Sequence, residues 1–155
     1  MTGSQDRLVS VLTSAQRTLS KELAERLAAE QVTVDQWRVL RLLGHPDAAD
    51  GTATSELAER TQIAAPSLTR LLDGLVDRAL VYRKQSLHDG RRIDLHLSDP
   101  GRRLLTRLEA IVEAHEQVLA RRLGTNGLSD AIAILQRLRS ADRADERAAE
   151  GADRQ

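Results

Sequence analysis

The chain contains no cysteine, which excludes thiol nucleophiles, thiol redox sensing and cysteine-ligated zinc. Phenylalanine is also absent, and Trp37 and Tyr82 are the only large aromatics. Proteins that hold single strands by stacking bases need an aromatic platform, so the composition argues against that class. No apolar run approaches the roughly 20 residues that span a bilayer. The stretch Met1–Ser20 is too polar for a secretory signal, so no membrane association and a cytoplasmic location are expected. The four histidines, His45, His88, His96 and His115, lack ligand spacing, and no metal site is expected. No nucleophile–base pair and no phosphate-cradling glycine loop is recognisable. The chain is therefore expected to be no enzyme, with no catalytic residues and no cofactor.

What is present is enough apolar sequence for a core: 41% of 155 residues are hydrophobic, without a disulfide to help. The formal net charge is zero, from 23 basic and 23 acidic residues. Distribution says more than the sum. Residues 1–64 carry 7 basic against 9 acidic side chains, and residues 104–155 carry 8 against 9. Residues 65–103 carry 8 against 5, so the positive surplus is local. Lys21 and Lys84 are the only lysines; codon bias in a GC-rich genome accounts for the preference for arginine.

The surplus coincides with the best-defined pattern in the chain, Ala64–Ala79. Pro66 suits the first position of a helix, because its missing N–H has no intrahelical partner there anyway. Leu68, Leu71, Leu72, Leu75, Val76 and Ala79 then form one apolar stripe at helical period. Ser67, Thr69, Arg70, Asp73 and Asp77 occupy the opposite face. Thr54–Arg60 reads as a shorter amphipathic helix, with Thr61–Ile63 as the turn between the two. A short helix, a tight turn and a longer helix with polar groups in its first turn describe a helix-turn-helix, although an ordinary helical hairpin has the same outline.

The remaining elements fall around this unit. Asp6–Ala29 reads as a long helix with Leu8, Val11, Leu12, Ala15, Leu19, Leu23 and Leu27 on a broad apolar face, wide enough to meet a partner as well as its own core. Thr33 and Gln36 form a capping box, flanked by Val32 and Trp37 at the staple positions, and the helix they start ends at Gly44. His45–Gly51 reads as a loop. Val81–Ser86 and Ile93–Ser98 both read as strands, the second with Ile93, Leu95 and Leu97 alternating with Asp94, His96 and Ser98 as in a half-buried strand, and Asp89-Gly90 between them is a hairpin signal. This hairpin carries Arg83, Lys84, Arg91 and Arg92, more basic residues than closing a small core would need, and it reads as a wing. Asp99-Pro100 starts a helix that continues to about Leu123. Residues 124–127 break it, Leu128–Leu138 forms a last apolar helix, and residues 141–155 read as a charged, disordered tail.

The order of elements, with Val32–Leu40, Glu56-Leu-Ala58, Ser67-Leu-Thr-Arg-Leu-Leu-Asp73, Asp89-Gly-Arg-Arg92, Leu97-Ser98 and Gly101, resembles the MarR family of winged-helix regulators over about Asp6–Arg139. Two details depart from the family pattern: Asp99-Pro100 follows Ser98 where proline is more usual directly, and Tyr82 stands before Arg83. The resemblance implies a mostly α fold with a small β-wing. A winged helix-turn-helix domain (31–99) is combined with a dimerisation region built from residues 1–30 and 100–140. It implies a homodimer that reads a palindromic double-stranded DNA operator, as a transcriptional repressor released by a small ligand. The competing expectation is a winged-helix module that docks on protein and not on DNA.

On this reading Pro66, Ser67, Thr69 and Arg70 meet major-groove edges and neighbouring phosphates. Asp73 either orients Arg70 as its i+3 partner or accepts from a cytosine. Asp89 and Arg91 match the family's wing pair, with Asp89 bracing the hairpin through a salt bridge and Arg91 entering a minor groove. Arg83, Lys84 and Arg92 are expected on phosphates, and His88 is a bystander. For an effector, which the family often takes as an aromatic or phenolic acid, the candidates are Arg17, Trp37 and His115. Trp37 as a core staple and Arg17 as a solvated side chain is the alternative.

Overall fold

The computed structural model describes residues 2–86, 89–124 and 126–138. The predicted tail, the wing residue His88 and the end of the resemblance at Arg139 lie outside them. In order, the chain forms α1 (Thr2–Leu27), α2 (Val34–Leu43), β1 (Thr52–Ala53), α3 (Thr54–Thr61), α4 (Ala65–Asp77), β2 (Val81–Gln85), β3 (Ile93–Leu97) and α5 (Asp99–Leu123). A last helix, α6, covers 127–138. Short 3₁₀ turns at Ala28–Glu30 and Pro46–Ala48 separate the first elements. The chain divides into two compact units, residues 1–112 and 113–155.

In the first unit α4 is held by burial. Leu68, Leu72 and Leu75 are all but inaccessible, and Leu71 and Val76 pack against the same core. At about 2 kcal/mol for each fully buried leucine, this outweighs the ~1 kcal/mol that Gly74 costs a helix interior. The other walls of the core come from Leu27, Val39, Leu40, Leu43, Leu57, Val81, Leu95, Leu97 and Leu108. The capping box at α2 is formed in both directions: Gln36 N donates to Thr33 Oγ1 (3.1 Å) and Thr33 N donates to Gln36 Oε1 (3.0 Å).

Two details correct the sequence reading of α4. Pro66 is the second helical residue, because Ala64 is the N-cap and Ala65 comes first. Ala79 does not extend the apolar stripe: the helix ends at Asp77, and Ala79 is exposed with a left-handed φ of 54°. Leu80 N donates to Leu75 O (3.0 Å) and Ala79 N to Val76 O (2.8 Å), which is a Schellman closure.

The sheet is antiparallel in the order β1-β3-β2. The short β1, which falls between the loop and the helix read from sequence and belongs to neither, pairs Thr52 with Leu95 and Ala53 with Asp94. On the far side β2 pairs with β3, from Val81 opposite Leu97 to Gln85 opposite Ile93. Gly51 makes this possible. Its φ is +92°, and an added Cβ would stand 2.5 Å from His96 Nε2 and 2.8 Å from the Asp94 Cβ.

Ser98 ties the sheet to the start of α5. Its hydroxyl donates toward the carbonyls of Ala79 (2.7 Å) and Leu80 (3.0 Å) and accepts from Gly101 N (3.0 Å). Gly101 sits so close to Leu80 O that a Cβ would lie 2.1 Å from it. That packing is the physical content of the Ser98 and Gly101 signature.

The apolar face of α1 is covered at one end only. Leu27 is fully buried, yet Leu8 (52%), Val11 (58%) and Leu19 (41%) are open to solvent in the single chain. Along α6, Ile132, Ile134, Leu135 and Leu138 are likewise exposed.

Candidate nucleic-acid interface

The turn between α3 and α4 is fixed from three directions. Thr61 is buried, and its hydroxyl donates to Leu57 O at 2.6 Å while accepting from Ile63 N at 3.4 Å. Gln62 takes the left-handed conformation (φ 58°) and its amide returns to Ala58 O. Arg38 of α2 donates to the Thr61 carbonyl and pairs with Asp35 at 3.0 Å. Among the last carbonyls of α3, those of Ala58 and Thr61 thereby find donors, and the Gln62 side chain reaches that of Glu59 at 3.1 Å.

With the turn set, Pro66, Ser67, Thr69, Arg70 and Asp73 are all exposed on one side of α4. The Thr69 hydroxyl donates back to Ala65 O at 3.0 Å, satisfying that group within the helix. Arg70 makes no ion pair among the described residues. Asp73 is not its partner: the carboxylate pairs instead with Arg83 of β2, with Nη2 2.7 Å from Oδ1. The expectation that Asp73 orients Arg70 is therefore corrected. A strand residue ten positions away competes better because the wing strand runs beside the helix.

The hairpin closes differently from a two-residue Asp-Gly turn. Ser86 N donates to Arg92 O (2.8 Å) and Arg92 N to Asp89 O (2.9 Å), so the turn spans Asp89–Arg92. The Asp89 side chain accepts from the Arg91 amide at 3.0 Å. Asp89 thus braces the wing through a backbone hydrogen bond of the Asx type, where a salt bridge was expected. Gln85 adds a hydrogen bond to Gly90 O. Lys84 and Arg91 are exposed, while Tyr82 and His96 stack across the strands with ring centroids 5.2 Å apart.

Arg92 is half exposed, but its guanidinium is engaged by Asp94. Its Nε lies 2.9 Å from Oδ1 of Asp94 and its Nη2 3.3 Å from Oδ2. Asp94 is 1% exposed. Hydrogen bonds from Ser86 and Arg92 hold its carboxyl below the ordinary range against the opposing effect of burial, and the same pairing raises the Arg92 guanidinium.

Two arginines that sequence reasoning missed hold the turn after α1. Arg78, just past α4, donates to the carbonyls of Gln31 (2.9 Å) and Glu30 (3.5 Å). Arg107 of α5 grips the Glu30 carboxylate with contacts of 3.0–3.1 Å, lowering its pKa. Gln31 takes a left-handed φ of 55° at this turn, and no sequence signal marks that geometry.

The effector candidates lie on three different helices, α1, α2 and α5. Arg17 is exposed on α1. Trp37 packs against the core as its staple position implies, with the Arg41 guanidinium 5.6 Å above its ring, and its enclosed Nε1 has no hydrogen-bond partner among the described residues. His115 is buried and its Nδ1 is also without a partner among the described residues.

Known proteins share both the sequence pattern and the fold. Residues 30–92 match the MarR family. An HTH-type transcriptional regulator of Mycobacterium bovis is 32% identical over 130 residues, covering 84% of this chain and 87% of its own. FarR, an HTH-type transcriptional regulator of Neisseria gonorrhoeae, is 31% identical over 134 residues, covering 84% and 89%. The transcriptional repressor CouR bound to a 23-mer DNA duplex superposes with a TM-score of 0.75 at 32% identity, over 83% of this chain and 89% of that one. CouR bound to p-coumaroyl-CoA gives 0.72 at 31% identity, over 83% and 88%. With its helix-turn-helix, its arginine-bearing wing and relatives of this similarity over most of its length, the chain belongs to the MarR family.

Proposed function

We propose that the protein is a homodimeric transcriptional repressor that reads a palindromic DNA duplex and leaves it when a small ligand binds. The observation that carries this reading is the exposed face of α4. Ser67, Thr69 and Arg70 stand there beside a hairpin tipped by Arg91, on a chain 32% identical to a repressor solved on a duplex. In that arrangement α4 enters the major groove, where Arg70 takes a guanine edge, and Arg91 enters the adjacent minor groove. Lys84 and the first turn of α4 take phosphates. Residues 1–30 and 100–140 form the dimer, in keeping with the uncovered leucines and isoleucines of α1 and α6.

For the effector, CouR was solved with p-coumaroyl-CoA, and an aromatic or phenolic acid or its thioester is the class to try first. The enclosed donor of Trp37 supports a ligand that offers an acceptor. Because Trp37 is the only tryptophan, its fluorescence reports directly on such a titration.

Selection of duplexes from a random pool, followed by anisotropy over a range of salt, tests the central claim. A palindromic consensus and a steep fall of affinity with salt are expected. Recovery of no consensus, with a salt-independent protein partner instead, would establish the protein-docking alternative.

A further inference from the structure

We propose that Asp94 is a positioning residue for the wing, acting through Arg92, which serves as a strut at the wing's root and not as a phosphate contact. This rests on the reading of the protein as a duplex binder. The placement carries the argument. Ser86 and Arg92 are the residues at which the two strands meet the wing loop, joined by Ser86 N to Arg92 O at 2.8 Å. Asp94 comes two residues later on the same face of β3, directly opposite Lys84. Its carboxylate receives the Ser86 hydroxyl from one strand and the Arg92 guanidinium from the other. One buried group therefore joins both sides of the root.

That carboxylate is enclosed almost completely, with Gly51 packed over the same face of the strand. Oδ1 lies 2.9 Å from Arg92 Nε but out of line for a hydrogen bond, so the attraction there is ionic. A buried carboxylate without its cation is strongly unfavourable. Swinging Arg92 away to a phosphate would strand Asp94 in that state, so the half-exposed guanidinium stays paired with Asp94 when the duplex arrives. Arg91, whose amide is fixed by Asp89 at 3.0 Å, is then aimed by a hairpin whose root cannot splay.

The test uses the full-length protein and the selected duplex, with variants D94N, R92Q, the double variant and R91A. Affinity and its salt slope are measured by anisotropy, and folding by helicity and thermal midpoint. D94N and R92Q should each weaken binding about tenfold with the salt slope unchanged. The double variant should be no weaker than the weaker single, as two groups acting through one contact require.

A fall of about one in the salt slope for R92Q alone, with D94N unchanged or tighter, would make Arg92 a phosphate contact and overturn the proposal. So would lowered midpoints with duplex affinity unaltered, which would leave Asp94 a support of the fold only. If D94N does not fold, the slope of R92Q decides by itself. R91A separates the two levels. Wild-type binding that R91A does not weaken removes the wing and this inference while leaving the repressor reading, whereas a wild type that binds no duplex removes both.

Discussion

Asp73 on α4 and Arg83 on β2 form an ion pair of 2.7 Å that ties the exposed face of the reading helix to the wing strand. Both side chains are about half exposed, so the pair adds under about 1 kcal/mol to stability. Its consequence is positional, since Arg83 is occupied and Arg70 is left to itself. Asp73→Asn should therefore shift the urea midpoint little and leave the base preference under Arg70 intact in duplex selection. Loss of preference at the same base pair that Arg70→Ala affects would show that Asp73 orients Arg70 after all.

Arg70→Ala and Arg91→Ala should fail in different ways. A bidentate contact to one base discriminates by about 1–3 kcal/mol, so Arg70→Ala should relax selection at one position in each half-site. Arg91→Ala should weaken binding broadly and flatten the preference for A·T-rich flanks, because a narrow minor groove attracts arginine by its potential and not by one base edge. Selection of duplexes with each variant separates the two patterns. Uniform loss at every position for Arg70→Ala would make it a phosphate contact.

Ala79 holds a left-handed conformation at the end of α4, where a β-carbon costs about 1–2 kcal/mol. Gly74, in the middle of the same helix, has nothing within 4 Å of where a Cβ would stand. Ala79→Gly should raise stability by about 1 kcal/mol, and Gly74→Ala by about as much through helix propensity. Both are read from denaturant midpoints at constant slope. Destabilisation by Ala79→Gly would mean that the methyl group packs on something that its exposure does not reveal.

Much of this fold was legible because its signals are local. The Thr33–Gln36 capping box and the leucine stripe of α4 can each be read within one element, whereas the alternation in β3 holds at Leu95 and Leu97 and fails at its start, where Ile93 is exposed and Asp94 is buried. The errors occur where a distant partner decides. Asp73 has an i+3 neighbour in Arg70, and no local rule favours Arg83 over it. Two-residue β1 is too short to carry a period, and it exists because Gly51 lets the chain pass over His96 and Asp94. Arg92 reads as one more basic wing residue until the burial of Asp94, two positions on, shows which way it faces. The candidate reading face of α4 was recoverable from period alone. The inward bracing by Arg38, Arg78 and Arg107 was not, since their acceptors are backbone carbonyls or carboxylates set by tertiary turns.

Asp94 also fixes the sign of the acid response. Its folded pKa is depressed below the ordinary 3.8. The stability it contributes is therefore present above the unfolded value and lost as pH falls through the folded one. Glu30, lowered by Arg107, acts in the same direction. Thermal midpoints should hold steady down to about pH 4 and then fall, and Asp94→Asn should flatten that acid limb. An unchanged limb in the variant would mean that the native and unfolded states hold this carboxyl alike.

The dimer sets how much duplex the protein can hold. Removing all of α1 is a poor test, because Leu27 is fully buried and Leu23 packs against the same core. Leu8, Val11 and Leu19 of α1, and Ile134 and Leu138 of α6, are different: each is exposed in the single chain. A charge placed there costs the isolated fold little, since substitutions away from buried contacts stay within about 0.5 kcal/mol. In a dimer the same charge would be buried without a partner. Leu8→Glu combined with Ile134→Glu should thus yield a folded monomer by sedimentation, with helicity kept. Two reading helices must sit about 34 Å apart to meet successive major-groove faces, and a monomer presents only one. Its affinity for the palindrome should collapse and its salt slope fall to about half, as half the phosphate contacts are lost. A wild-type chain that sediments as a monomer at micromolar concentration, yet binds the palindrome tightly, would place the second half-site contact somewhere other than these helices.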